Sequence, residues 1–429
     1  MPALDGLRGV AILLVLGVHT SELVPGGLLG VDLFFVLSGF LITSILLAER
    51  ARTNTISLRA FYRRRALRLL PALIFMLSVY LAATALFDPD GVRSGVVAAG
   101  FGISYVANVA QMGSLFDDEG LRPLWSLATE EQFYLLWPPL LAIALAFRAS
   151  VRVLCGVLVG LALASLVWRV ALLATGASFE RLWVGPDTHA DPILIGCVAG
   201  VLYTSGTLER IRFGGIALVV GAGIVAMSAW FAPQTHVFVT LFAICSGLVV
   251  LAAASTEQWW FTRVLEVRPL RYVGKISYGL YLWHAPLLVA FGMIGLPLAL
   301  VVAGLSYRYV EQPFLRRKRK RGNPETRSSV TAGETSGSTL RIALRRASSE
   351  VGPAHGSVGS TPALLRLRRD QRQRVSPRFS ENTLLLPPTV IGSFQGRQPS
   401  FCAVPAMTRM PRNTPVSSNA MKKFFIVMR

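Results

Sequence analysis

Arg8 and His19 stand eleven residues apart in the first apolar run of the chain, with Gly9-Val10-Ala11-Ile12-Leu13-Leu14-Val15-Leu16-Gly17-Val18 between them. At 3.6 residues per turn this is close to three turns, so the two side chains share one helix face roughly 16 Å apart along the axis. Imidazole is the usual general base near neutral pH, and a guanidinium orients or compensates an anion. Both groups are expensive in an apolar medium, where a polar side chain marks a site by default. A side chain snorkelling at the cytoplasmic end of its helix is the alternative for Arg8. For His19, several turns in, the expected role is proton transfer.

Four further stretches carry chemistry-bearing residues. Asp32 opens a second apolar run, Gly30-Val31-Asp32-Leu33-Phe34-Phe35-Val36-Leu37-Ser38-Gly39-Phe40, where it can orient an imidazole, meet an acceptor hydroxyl, or simply sit at a favourable helix N-terminus. Ser38 and Gly39 in the same run suit close helix packing. Arg63, Arg64, Arg65 and Arg68 precede Pro71 and another apolar run. Positive-inside bias accounts for several arginines there, but Arg65 and Arg68 at i, i+3 spacing suit a phosphorylated ligand, which guanidinium groups grip bidentately. Glu130 and Glu131 open a later run; on a helix they point about 100° apart, so at most one faces a common site. His284 lies mid-run beside Pro286, where a hydrogen bond at a proline kink competes with a functional role.

The elements that must hold these residues are membrane helices. The chain is 53% hydrophobic and 15% charged, against about 25% charged in an ordinary soluble domain. Apolar runs recur at roughly 8–23, 29–48, 70–87, 132–147, 153–175, 190–204, 214–231, 237–254, 276–293 and 295–312, which predicts an all-α polytopic bundle of about ten spans. Ten spans put every basic loop on one side, beginning with the arginine-rich 49–69, and place both termini in the cytoplasm. Segment 94–112 is apolar too, but a full crossing there would invert everything after it. It is therefore expected to be re-entrant, with 113–131 outside and Arg122 the one residue that argues mildly against. The first run holds Arg8 and His19 and leads straight into a second span, which is unlike a cleavable signal peptide.

The net charge of +20 belongs to the end of the chain: from Arg316 onward there are 22 Lys and Arg against 5 Asp and Glu, and before it 21 against 18. Nucleic-acid binding is therefore not expected. The division is a transmembrane domain over 1–315 and a basic, low-complexity, disordered cytoplasmic tail over 316–429, opening with a polybasic run suited to anionic lipid. Cys155, Cys197 and Cys245 lie in apolar runs and Cys402 in the tail, with no metal or redox spacing.

Taken in order, the motifs resemble the membrane acyltransferase-3 family. They are Leu4-Asp5-Gly6-Leu7-Arg8 with His19, Gly30-Val31-Asp32 with Phe34 to Phe40, Phe61…Arg64-Arg65…Arg68…Pro71, Trp125-Ser126-Leu127 with Glu130 to Tyr134, Ile276 to His284, and Tyr307…Glu311…Pro313-Phe314. The resemblance covers about residues 3–316. It implies an integral-membrane O-acyltransferase of the inner (cytoplasmic) membrane, taking an acyl group, usually acetyl, from cytoplasmic acetyl-CoA or another acyl-CoA, with no permanently bound cofactor and no metal. The acceptor would be a hydroxyl of a cell-envelope glycan, glycolipid or similar molecule. Carried over, Arg8 and His19 match the essential Arg/His pair, Arg64, Arg65 and Arg68 the cytoplasmic arginine motif, and Glu131 or Asp32 would tune the imidazole. Direct attack by the acceptor is the expected route, with an acyl-His relay the alternative. Two departures stand out. His189 occupies a place where the family commonly has Arg, and no Gly-Asp-Ser nucleophile motif follows residue 315, so a stand-alone type without the hydrolase-like domain is expected. The reading from another class is a transporter or permease whose polar residues line a solute path.

Overall fold

The computed structural model describes residues 1–20, 24, 26–116, 118–206, 221, 223, 235–254 and 260–320. Regular structure among them is helical: α1 (Pro2–Thr20), α2 (Leu29–Thr53), α3 (Leu58–Phe87), α4 (Val92–Ile103), α5 (Ala107–Met112), α6 (Leu124–Ala146), α7 (Val151–Ala174), α8 (Phe179–Val184), α9 (Asp191–Thr204), α10 (Thr235–Ala254), α11 (Trp260–Leu265), α12 (Arg268–Phe291), α13 (Gly295–Ser306) and α14 (Gln312–Lys320). A π-helical turn, Tyr307–Glu311, joins the last two.

Among the described residues, five stretches are long and apolar enough to cross a membrane: Pro2–His19, Leu29–Thr53, Leu58–Phe87, Val151–Ala174 and the helical run Arg268–Arg316. The last folds back on itself. Gly292 adopts φ +59, a left-handed conformation that favours glycine, and Gly295 packs so closely on the Leu287 carbonyl that a Cβ would lie 2.1 Å from it. The expected spans 276–293 and 295–312 thus form the two arms of one hairpin. Asp191–Thr204 and Phe238–Ala254 are shorter apolar helices. The expected span 214–231 and residues 321–429 of the tail lie outside the described residues, apart from the backbone of 221 and 223.

Segment 94–112 is not one helix. It breaks at Ser104–Val106, where Tyr105 takes φ +55, into pieces of 12 and 6 residues. At 1.5 Å per residue neither piece approaches the ~30 Å hydrocarbon thickness. Arg122, the residue that argued for a crossing, pairs with Glu180 at 3.2 Å.

The helix at the centre is α2. Sixty-one per cent of its most apolar window is buried, against 22% for α7, whose apolar side chains face outward as lipid-facing helices do. Small residues set the closest contacts. Along α2, Asp32, Val36 and Gly39 follow one another at i, i+4 and i+7 and so share a face. A Cβ on Gly39 would meet the Ile193 carbonyl at 2.1 Å, and one on Gly196 would meet the Val36 carbonyl at 2.2 Å, so α2 and α9 touch backbone to backbone. On its other side α1 lies parallel to α12: a Cβ on Gly274 would fall 1.7 Å from the Asp5 carbonyl. These two contacts position everything described next.

Candidate functional site

A cavity of about 360 Å³ opens between α1, α2, α3, α6 and α12. Arg8 of α1 and Arg64, Arg65 and Arg68 of α3 line it together, facing two carboxylates, Asp5 and Glu130. The α2 wall is read off at helical spacing, with Val31, Phe34, Phe35, Ser38, Leu41, Ile42 and Ile45 turned inward. Arg64 is held by Glu49 at 3.2 Å. The Arg65 guanidinium lies over the Tyr134 ring, 3.7 Å from its centroid. The Tyr134 hydroxyl donates to Glu130 Oε1 at 2.7 Å, and Ser38 donates to the same oxygen. Arg8, Arg65, Glu130, Tyr134 and Glu311 are charged and polar neighbours of Arg68. Arginines outnumber carboxylates in the lining of a cavity of drug-site size, and planar guanidinium groups suit an anion there.

The expected arginines thus come together, and Arg8 joins them. Of the two adjacent glutamates, Glu130 lines the cavity, four residues before Tyr134 and on the same face; Glu131 lies outside the lining, yet is largely buried with Arg65 among its charged neighbours. Glu131 Oε1 is buried with no hydrogen-bond partner among the described residues. The i, i+4 pairing with a tyrosine was the signal that could have chosen between the two. Ser38, Ser126, Tyr134, Tyr278 and Tyr281 are further cavity residues that the sequence did not mark as such.

Asp32 is also elsewhere. Because it shares the Val36/Gly39 face, it points at the start of α9 and not at His19. Its carboxylate oxygen lies 2.5 Å from His189 Nε2, with both side chains buried. His189 Nδ1 lies 2.7 Å from the Trp183 carbonyl, which can only accept, so Nδ1 is the donor and one proton is shared between Nε2 and Asp32. Beside it, Arg169 donates to both Asp191 oxygens at 2.8 and 3.0 Å, to the Thr188 carbonyl at 2.7 Å and to Thr240 at 2.6 Å. Phe35, Trp125 and Trp183 pack edge-on or tilted against the His189 ring and close this network off.

His19 lies at the exposed end of α1, outside the lining of the arginine cavity. Its ring meets that of His284 on α12, centroids 5.6 Å apart, and His284 in turn meets Tyr281 at 5.2 Å. Tyr281 reaches the cavity, where its hydroxyl lies 2.6 Å from Ser126 Oγ and donates to the Pro123 carbonyl at 3.0 Å. His19 is therefore linked, through a histidine and a tyrosine of α12, to the cavity that Arg8 lines.

Comparison with known proteins identifies the family. The acyltransferase-domain profile of the acyltransferase-3 family matches residues 1–310. Over 345 residues the chain is 31% identical to the peptidoglycan O-acetyltransferase OatA of Listeria monocytogenes, covering 73% of this chain and 56% of that protein. It is 33% identical over 354 residues to the O-acetyltransferase OatA of Staphylococcus aureus, covering 75% and 58%. It is 32% identical over 346 residues to the putative peptidoglycan O-acetyltransferase YrhL of Bacillus subtilis, covering 73% and 55%. The chain spans a little over half the length of these relatives. No solved structure matches it. With helices long and apolar enough for a membrane, and a family domain that runs through every residue of the arginine cavity, this chain belongs to the acyltransferase-3 family of membrane proteins.

Proposed function

We propose that this protein transfers an acyl group, acetyl in the first instance, from acyl-CoA to a hydroxyl of a cell-wall glycan. The observation that carries the reading is the convergence of Arg8, Arg64, Arg65 and Arg68 on one cavity. Guanidinium groups suit the phosphates of CoA, and the tyrosine and serine side chains of the same cavity suit the polar pantetheine arm. The cavity opens among the ends of α1, α2 and α3 that carry the basic loop 49–69, so the donor enters from the cytoplasm, where both termini also lie. The peptidoglycan O-acetyltransferases among the relatives support a glycan acceptor. Residues 1–315 form the transferase domain and 316–429 a basic cytoplasmic tail.

His19 is the general base. The acceptor oxygen attacks the thioester carbonyl carbon, the hydroxyl proton goes to the imidazole, the C–S bond breaks, and the proton then passes to the leaving sulfur to give free CoA. Arg8 compensates negative charge that develops between donor and acceptor, and Glu130 fixes Tyr134 and, through it, Arg65. The test is transfer of label from radioactive acetyl-CoA to muramidase-released peptidoglycan fragments by the purified chain in lipid nanodiscs. An alkali-labile ester on the glycan is expected, lost about 100-fold or more in His19→Ala, the scale of a general base. Undiminished transfer by that variant would remove His19 from the chemistry.

A further inference from the structure

His284 does not line the arginine cavity and is almost wholly buried, yet its ring is the neighbour of the exposed His19 ring. We propose that His284 positions His19: Nε2 of His284 accepts a hydrogen bond from one His19 ring nitrogen, so that the other His19 nitrogen faces the acceptor as a base. This rests on the acyl-transfer reading above and names the group that orients its base.

The tautomer follows from hydrogen-bond chemistry. His284 Nδ1 lies 2.6 Å from the carbonyl oxygen of Tyr281, one helical turn back. A carbonyl only accepts, so Nδ1 carries the hydrogen and the neutral ring keeps its lone pair on Nε2. The ring is held at a weak point of its helix. Pro286, inside α12, has no N–H for the Leu282 carbonyl and crowds it, which loosens the backbone beside His284.

The two rings already touch. An N–H···N bond of about 3 Å between edge-facing imidazoles sets their centroids about 5 to 5.5 Å apart; the observed separation is 5.6 Å with the planes tilted by 45°, so the proposed bond forms when the exposed His19 ring turns slightly toward His284. The parallel α1–α12 contact, locked where Gly274 meets the Asp5 carbonyl, keeps the two rings level. Without such a partner, a histidine in the last turn of a helix, with an exposed side chain, has no fixed tautomer or orientation.

In the reaction, the acceptor hydroxyl gives its proton to the free His19 nitrogen as its oxygen attacks the thioester carbon. The imidazolium then shares its N–H with His284 Nε2. When the C–S bond breaks, His19 returns the same proton to the thiolate, and both rings end neutral.

Two substitutions separate positioning from packing. Asparagine at 284 can still donate to the Tyr281 carbonyl but is too short to reach His19; glutamine is long enough to present its carbonyl oxygen where Nε2 stands. Each full-length variant is assayed in nanodiscs with labelled acetyl-CoA and muramidase-released peptidoglycan fragments, beside wild type and His19→Asn. The expected result is a kcat about 10- to 100-fold lower in His284→Asn, KM for acetyl-CoA within about twofold of wild type, and at least half of the lost rate restored in His284→Gln, matching the effect of second-tier partners on histidines elsewhere. Wild-type kcat in His284→Asn beside an inactive His19→Asn would overturn the positioning role alone. So would equal loss in the asparagine and glutamine variants, or a KM that rises with the fall in kcat. A wild-type protein that transfers no label would overturn the transfer reading and this one together.

Discussion

The arginine cavity and the Arg169–Asp191/His189–Asp32 network are both charged interiors of one helical bundle, and they are built on opposite principles. In the network, two carboxylates meet one guanidinium and one imidazole, each side chain is sealed from the surface, and aromatic rings cover the histidine. In the cavity, four guanidinium groups line an open space with Asp5 and Glu130, while Glu49 holds Arg64 and Glu311 lies near Arg8 and Arg68 from outside the lining. Charge inside a membrane protein therefore does not by itself mark a ligand site. Charge that opens onto an empty volume does.

The sharpest way to break this contrast is to remove Arg169. Stranding Asp191 in the bundle costs about 3–5 kcal/mol, so Arg169→Ala should be expressed poorly or melt far below wild type, whereas a paired Arg169→Met/Asp191→Leu replacement should recover most of the loss. Thermal unfolding in detergent would decide. If Arg169→Ala melts like wild type and loses only activity, the network is functional machinery and the division fails.

In the cavity the expected effect falls on ligand use and not on stability. Arg68→Ala should raise KM for acetyl-CoA about 10- to 100-fold, the scale of a charge-assisted hydrogen bond, and leave KM for acetyl-pantetheine within about twofold. Equal effects on both donors would show that Arg68 does not meet the phosphates.

A smaller difference separates the adjacent glutamates. Glu130→Gln weakens the acceptor that Tyr134 and Ser38 share and should lower kcat/KM about tenfold; Glu131→Gln should stay within about twofold. The reverse order would restore Glu131 to the site.

Smallest is an effect of pH at the mouth of the network, outside the membrane helices. Burial alone would raise the Asp187 carboxyl, but hydrogen bonds from Arg181 and Trp168 outweigh it and hold the group below its ordinary value of 3.8. A depressed carboxylate adds stability that is present above the unfolded pKa and lost as pH falls through the folded one. Melting temperature should therefore drop below about pH 4 in wild type, and less steeply in Asp187→Asn, by under about 1 kcal/mol for a group this exposed. Identical acid profiles would show that the pair contributes nothing.

How legible this was depended on which residues carried a period. The helical class, the hairpin arms at 276–312 and the clustering of Arg64, Arg65 and Arg68 follow from apolar run length and i, i+3 spacing, which are local. The break in 94–112 was reached from loop charge, and Tyr105 shows its backbone form. What the sequence left open were choices of helix phase set by partners far along the chain. Asp32 turns away from His19 only because Gly39 and Gly196 bring α2 against α9. The pairing of His19 with His284 depends on α1 and α12 lying parallel across more than 260 residues of sequence. The place of Glu130 in the cavity lining is a middle case, readable from Tyr134 at i+4.

The most direct measurement of the central claim is equilibrium binding of CoA and of pantetheine to the full-length protein in nanodiscs, wild type beside a variant in which Arg64, Arg65 and Arg68 are all glutamine. The expected result is CoA binding at least about 100-fold tighter than pantetheine in wild type, weakening as salt rises, with the preference abolished in the triple variant. Equal affinity for the two ligands in wild type, or CoA binding that survives loss of the three arginines, would contradict it.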